Sequence, residues 1–237
     1  MHTAFVKSIP EPGAIFELEK RESDHLFKTL RCRVGEKLRL CDGKGTVAEA
    51  EAAPERCIKV LSRETFEADR IELHLFAALP KNAKLDSLLK PVTEAGAVSI
   101  TPLKCRYSVS EKSGIPERWY TLLEEACKQS GNPFLPEITS TMTVAQAVEY
   151  CRKNDIMIFY GAQHGTLLLP TDLPSQGICK LAWMVGPEGG FDDNETALLD
   201  QAGKGITLGK YIFRLENAAL AGTSYLITLA RTAEKLQ

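Results

Sequence analysis

The 237-residue chain is long enough to bury a substantial core, as one large domain or as a small one plus a medium one. With 25% charged and 44% hydrophobic residues it has the composition of a soluble globular protein, and a net charge of −2 excludes a polycation, so any nucleic-acid partner needs a local basic patch. The seven cysteines (Cys32, Cys41, Cys57, Cys105, Cys127, Cys151, Cys179) never fall in Cys-x-x-Cys spacing, and the four histidines are scattered, which argues for small buried thiols in a reducing cytosol rather than disulfides, zinc or a catalytic metal. No apolar stretch reaches the length of a membrane span, and residues 1–7 lack a signal-peptide core.

In chain order, short strands are expected around residues 4–6 and 14–16. Residues 23–31 carry apolar positions at 26, 27 and 30, which predicts a short helix capped by Ser23. The alternating runs 37–41 and 46–50 flank Asp42-Gly43-Lys44-Gly45, a hairpin signal, and residues 57–61 add a further strand. Residues 1–70 therefore read as a small strand-rich unit, a barrel. Between Lys20 and Lys44 stand eight Lys/Arg against four acids. Two readings of this patch stand level: a solvated face, or phosphate contacts on RNA through Lys28, Arg31, Arg33 and Arg39, with Arg106 further on.

From residue 71 onward strands alternate with helices. Strands are predicted at 71–77, ending at Leu79-Pro80, then at 98–100, 135–138, 156–161 and 181–185. Helices are predicted from Lys84 to Gly96, with a kink at Pro91, from Pro116 to Ser130, and over 144–151. This pattern predicts an α/β domain over 71–237 with a mainly parallel sheet and helices on both faces.

The apolar run Leu181-Ala182-Trp183-Met184-Val185 breaks into Gly186-Pro187-Glu188-Gly189-Gly190-Phe191, and Asp192 with Glu195 forms a capping-box variant for the next helix. Strand, glycine turn and helix put bare backbone at the carboxyl end of a strand, where open α/β sheets bind ligands. Tyr160-Gly161 and Leu208-Gly209 are read as two more strands ending in glycine, so a ligand enclosed by loops is expected. Neither G-x-x-x-x-G-K-[ST] nor G-x-G-x-x-G is present. That disfavours a triphosphate or dinucleotide and leaves open a smaller adenosine compound without phosphates.

Gly186-Pro187-Glu188-Gly189-Gly190-Phe191, followed by Leu208-Gly209-x-x-Ile212-x-Arg214-x-Glu216-Asn217-Ala218, resembles the RsmE family. Three further stretches extend the likeness over nearly the whole chain: His25-x-x-x-x-Leu30-Arg31, Lys90-x-x-Thr93-Glu94-x-Gly96 and Glu125-Ala126-Cys127-Lys128-Gln129-Ser130. The chain departs from the family pattern at Pro91, Ala95, Asn132, Leu215 and Asn217.

The resemblance implies a PUA-like β-barrel ahead of a SPOUT methyltransferase domain with a deep C-terminal trefoil knot, working as a cytoplasmic homodimer. The activity it implies is methylation of uridine N3 in small-subunit (16S) ribosomal RNA, as free RNA or in a particle. The cofactor it implies is S-adenosylmethionine, held by Gly161, Val185, Gly186, Glu188, Gly189, Leu208, Gly209, Ile212, Leu215, Asn217 and Ala218. Two other readings are a different SPOUT reaction, such as ribose 2′-O-methylation, and an RNA-binding assembly factor without catalysis. Uridine N3 must lose a proton before it attacks, so Arg214 is the candidate to steady the uracil or its phosphate and Glu216 the candidate base. An equal alternative gives Glu216 the task of holding its own loop, and Glu188 is open to the same reading.

Overall fold

The computed structural model describes residues 1–79, 85–108 and 114–235. It divides into two compact units, Met1–Ala68 together with Glu124–Leu135, and Asp69–Leu123 together with the chain from Pro136.

The first unit contains β1 (His2–Phe5), β2 (Ile15–Glu17), α1 (Lys20–Asp24), β3 (Lys37–Cys41), β4 (Thr46–Ala52) and β5 (Cys57–Thr65). Its strands form one sheet in the order β1-β3-β4-β5-β2. Period-two alternation turns Leu38, Leu40, Ala48, Ala50, Ala52, Ile58 and Val60 inward, where they bury with Ala4, Leu18 and Leu26 in one core. The β3–β4 hairpin forms where its pattern predicts, with Cys41 opposite Val47. In its turn the Asp42 carboxylate accepts the backbone N–H groups of Lys44 and Thr46 at 2.8 and 2.9 Å, an Asx-type closure. A Cβ at Gly43 would lie 2.5 Å from the Phe5 ring, so this turn needs glycine for space as well as for its φ of 70°.

The helix expected at 23–31 begins earlier. Ser23 is no cap: its N–H already donates to the Glu19 carbonyl, and α1 passes into a wider helical turn over His25–Thr29. The earlier start places Glu22 inside the unit. There its carboxylate accepts the Phe5 N–H at 2.9 Å and both its oxygens accept from Lys128 Nζ at 2.7 Å. That pair, the Arg21–Glu124 bond at 2.8 Å and a Lys44–Phe134 bridge attach Glu124–Leu135 to this unit.

The second unit contains β6 (Ile71–Ala78), α2 (Asp86–Ala95), β7 (Ala97–Lys104), the first half of α3 (Glu117–Ser130), β8 (Glu137–Ile138), β9 (Met142–Thr143), α4 (Val144–Lys153), β10 (Met157–Thr166), β11 (Cys179–Val185), α5 (Asp193–Ala202), β12 (Gly203–Ile206) and α6 (Leu215–Lys235). The expected helix start at Lys84 and the strand end at Pro80 lie outside the described residues; α2 itself is continuous through Pro91. The sheet order is β12-β10-β11-β6-β7-β8, with β9 beside β7, and all its pairings are parallel. Leu73, Leu75, Phe76 and residues 181–185 are buried, as strands covered on both faces must be. The register settles which helix covers which face. Trp183 pairs with Leu75 and meets Gly222 of α6, whereas the next residue along, Phe76, meets Tyr150 of α4 edge to face. Successive strand residues point to opposite faces, so α6 and α4 lie on opposite sides of the sheet.

Two of the three expected glycine-ended strands differ. β10 continues past Gly161 to Thr166, with an irregularity that returns Thr166 to the same partner, Ile206. Gly165 permits this return, since a Cβ there would lie 2.5 Å from the Ile206 carbonyl carbon. β12 ends at Ile206, three residues before Gly209. The chain then turns on the Thr207 hydroxyl, which donates to the Gly209 carbonyl at 3.1 Å.

Candidate cofactor and active site

The third glycine turn forms as expected. β11 ends at Val185, the Gly190 N–H donates to the Pro187 carbonyl at 2.8 Å, and Gly190 takes a φ of 77°. Asp192 caps α5 by accepting the Glu195 N–H at 2.7 Å, and the Glu195 carboxylate accepts the Asp192 N–H at 3.0 Å, completing the capping box. The same Glu195 carboxylate accepts the Arg106 N–H at 2.8 Å.

Behind the turn, Phe191 packs against Gly186, where a Cβ would lie 3.2 Å from its ring, and meets Tyr160 edge to face at 6.2 Å. The Tyr160 hydroxyl donates to Asp200 of α5. Burial, then the Asp200 hydrogen bond, push the Tyr160 phenol up to about 12, so it keeps its proton at neutral pH. These contacts tie the middle of β10, at Tyr160, and the last turn of α5, at Asp200, to the turn.

Trp183 joins the remaining pieces. Its indole is fully buried, and Nε1 donates to the Ala218 carbonyl at 3.0 Å. A Cβ on Gly222, one helical turn further along α6, would lie 2.1 Å from Cε2, and one on Gly161 would lie 3.4 Å from Cη2. One side chain therefore brings β10 at Gly161, the β11 end that leads into Val185 and Gly186, and the first turns of α6 to one place.

The sequence-predicted residues fall around this centre. Val185 and Leu215 are buried; Gly186, Leu208, Glu216 and Ala218 are half-buried; Gly161, Glu188, Gly189, Gly209, Arg214 and Asn217 are exposed. Ile212 is 81% exposed beside Tyr211 at 78%, an apolar pair open on the surface. Arg214 provides the carbonyl that accepts the Ala218 N–H at 2.8 Å, so it sits where α6 begins, with Glu216 in the first turn. The unpaired N–H groups of a helix N-terminus favour an acid and disfavour a cation. Glu216 thus has a structural reason to be there. Arg214 has none, and among the described residues it makes no ion pair.

The basic patch is uneven. Lys28 pairs with Asp24 at 2.8 Å, and half-buried Arg39 stands across the hairpin from Glu49. Arg31 and Arg33 are exposed and, among the described residues, have no ion-pair partner. Arg106, also exposed, belongs to the second unit.

Sequence reasoning passed over Trp183, Tyr160 and Phe191 as site-shaping residues. A signal for the first was present: a glycine inside a helix costs roughly 1 kcal/mol against alanine, so Gly222 asked for a bulky neighbour.

This architecture is that of a PUA-type unit joined to an α/β methyltransferase domain. The family described as RNA methyltransferase domain matches residues 67–227, and the one described as RNA methyltransferase PUA domain matches residues 18–52. The chain belongs to the RsmE family of RNA methyltransferases. It is similar to the ribosomal RNA small subunit methyltransferase E of Rickettsia conorii (28% identity, covering 98% of this chain and 97% of the relative). It is also similar to that of a Synechocystis strain (28%, covering 86% and 70%). Its fold matches the solved structure of ribosomal RNA small subunit methyltransferase E from Neisseria gonorrhoeae bound to S-adenosyl methionine (TM-score 0.84, 24% identity, covering 97% and 98%).

Proposed function

We propose that the protein transfers a methyl group from S-adenosylmethionine to uridine N3 of small-subunit ribosomal RNA, in the cytoplasm, as a homodimer. One contrast among the glycines carries the reading. Gly165, Gly203, Gly205 and Gly222 are packed so tightly that a Cβ would come within 3 Å of a neighbour. Three glycines of the site's loops differ from these, unlike Gly186 and Gly161, which pack on Phe191 and Trp183. A Cβ on Gly189 or Gly209 would come no closer than 3.6 or 3.8 Å to a neighbour, and one on Gly190 would have nothing within 4 Å. Those glycines leave bare backbone facing open space. Gly190 and Gly209 also have positive φ values of 77° and 159°, which favour glycine. Gly189 has neither a positive φ nor a tight neighbour, and a ligand explains its bare backbone where packing and conformation do not.

The residues fit a cofactor without phosphates. Backbone groups of Val185, Gly186, Gly189, Leu208 and Gly209 suit an adenine edge, a ribose and a methionyl chain, with Gly161, Glu188, Ile212, Leu215, Asn217 and Ala218 around them. S-adenosylmethionine supplies an electrophilic methyl group. Arg214 holds the uracil or its phosphate and steadies the charge that develops when N3 loses its proton. Glu216 takes that proton or, in the alternative, secures the first turn of α6. The chain passage from β12 to α6 is the segment we assign to the knot. Exposed Tyr211, Ile212, Phe213 and Leu220 form the apolar surface for a second copy. In the first unit Arg31 and Arg33, supported by Lys28 and Arg39, meet RNA phosphates, as does Arg106 in the second.

Transfer of labelled methyl from S-adenosylmethionine tests this, with small-subunit particles from cells lacking the protein as substrate. The parent chain should transfer label and Arg214→Ala should bind cofactor normally but transfer it at least a hundredfold more slowly, about the loss of one transition-state charge contact. Nucleoside analysis separates N3 from ribose methylation. Cofactor binding without transfer to any RNA would leave only the assembly-factor reading.

A further inference from the structure

We infer that Trp183 is a positioning residue that sets where the first turn of α6 stands at the site. The inference rests on the methyltransferase reading but uses contacts independent of it. The Trp183 Nε1–H donates to the Ala218 carbonyl at 3.0 Å, and the indole fills the space that Gly222 leaves open. Its far edge lies under Gly161, where an added Cβ would be 3.4 Å away. The backbone of Trp183 is itself only three residues ahead of Gly186. Sliding α6 along its axis would break the indole bond and drive the Leu220–Thr223 turn into the ring. The indole therefore fixes the height of α6, and with it the distance from the glycine turn to Arg214, Glu216 and Asn217. A phenylalanine would fill part of the volume but offers no N–H, so it would leave the helix start free to shift.

The test is Trp183→Phe, read by hydrogen exchange of α6 peptides, calorimetric titration with S-adenosylmethionine, turnover, and melting temperature. Trp119→Phe is the control, because it removes another buried indole N–H, one that donates to Asp86 at the start of α2 and not to α6. The positioning role predicts exchange about tenfold faster over the first two turns of α6, unchanged exchange in its last turns, cofactor affinity weakened about tenfold, and kcat reduced with little change in the KM for RNA. Exchange that rises evenly along α6, or parental affinity and kcat in a folded Trp183→Phe protein, would reduce Trp183 to a core filler and overturn the inference. If the parent chain itself takes up no S-adenosylmethionine, the methyltransferase reading falls. The exchange arm alone then decides, with local acceleration upholding the placement and even or absent acceleration overturning it.

Discussion

Gly222→Ala reverses the usual sign of a glycine substitution. In the middle of an exposed helix the change stabilises by about 1 kcal/mol through helix propensity. In α6 the added Cβ would lie 2.1 Å from Cε2, 2.3 Å from Nε1 and 2.5 Å from Cζ2 of Trp183, far inside van der Waals contact. The ring has no clear direction of retreat, since it is fully buried, bonded to the Ala218 carbonyl and backed by Gly161. Overpacking of a close-packed core costs about 1–3 kcal/mol, and an overlap on three ring atoms belongs at the upper end. Offset by propensity, the net loss is about 2 kcal/mol, a fall in Tm of roughly 4–8 °C for a chain of this size. Thermal denaturation by circular dichroism measures it. The same substitution in a Trp183→Phe background should be neutral or stabilising, because the clashing atoms are largely gone, giving a coupling of about 2 kcal/mol. A Gly222→Ala protein that melts at or above the parent temperature would refute the packing argument.

Three further outcomes are expected. RNA affinity should fall with rising salt, and neutralising Arg31 and Arg33 should flatten that slope by about two phosphate contacts while Lys28 and Arg39, already facing Asp24 and Glu49, contribute less; filter binding over a salt series measures it. Lys128→Met should destabilise the first unit by about 3 kcal/mol, because it leaves the Glu22 carboxylate buried with only the Phe5 N–H, and Glu22→Gln in the same protein should recover part of the loss in denaturant titrations. Burial holds the His74 imidazole below its ordinary value despite Glu72 nearby, so its neutral form is the folded one; stability from this site is present above the unfolded value of about 6.5 and is lost as pH falls below it. Denaturation midpoints between pH 7 and 5 should accordingly drop less in His74→Gln than in the parent.

Local chemistry was the legible part of this chain. The hairpin at Asp42–Gly45, the Asp192–Glu195 capping box and the buried strand before Gly186 each depend on residues within a few positions of one another, and each forms. What escaped depends on partners far away in sequence. Gly161 reads as a strand end, but β10 continues because Gly165 lets its backbone lie on Ile206. Ser23 reads as a cap, but Glu22 must reach Lys128, more than a hundred residues on, and the helix starts earlier to place it. The placement of Glu124–Leu135 beside the first unit has no periodic signal at all. At the site, the glycine turn and the Arg214–Ala218 stretch are visible as motifs. The Trp183–Gly222 fit that brings α6 to the end of β11 appears only once both are folded.

Nucleoside mass spectrometry of small-subunit ribosomal RNA tests the central claim most directly, comparing cells that make this protein, cells that lack it, and cells that make only the Arg214→Ala form. The account predicts that one 3-methyluridine is present in the first and missing from the other two, and returns when the parent chain is restored. Unchanged 3-methyluridine in cells lacking the protein, with no other methylated nucleoside lost, would contradict it.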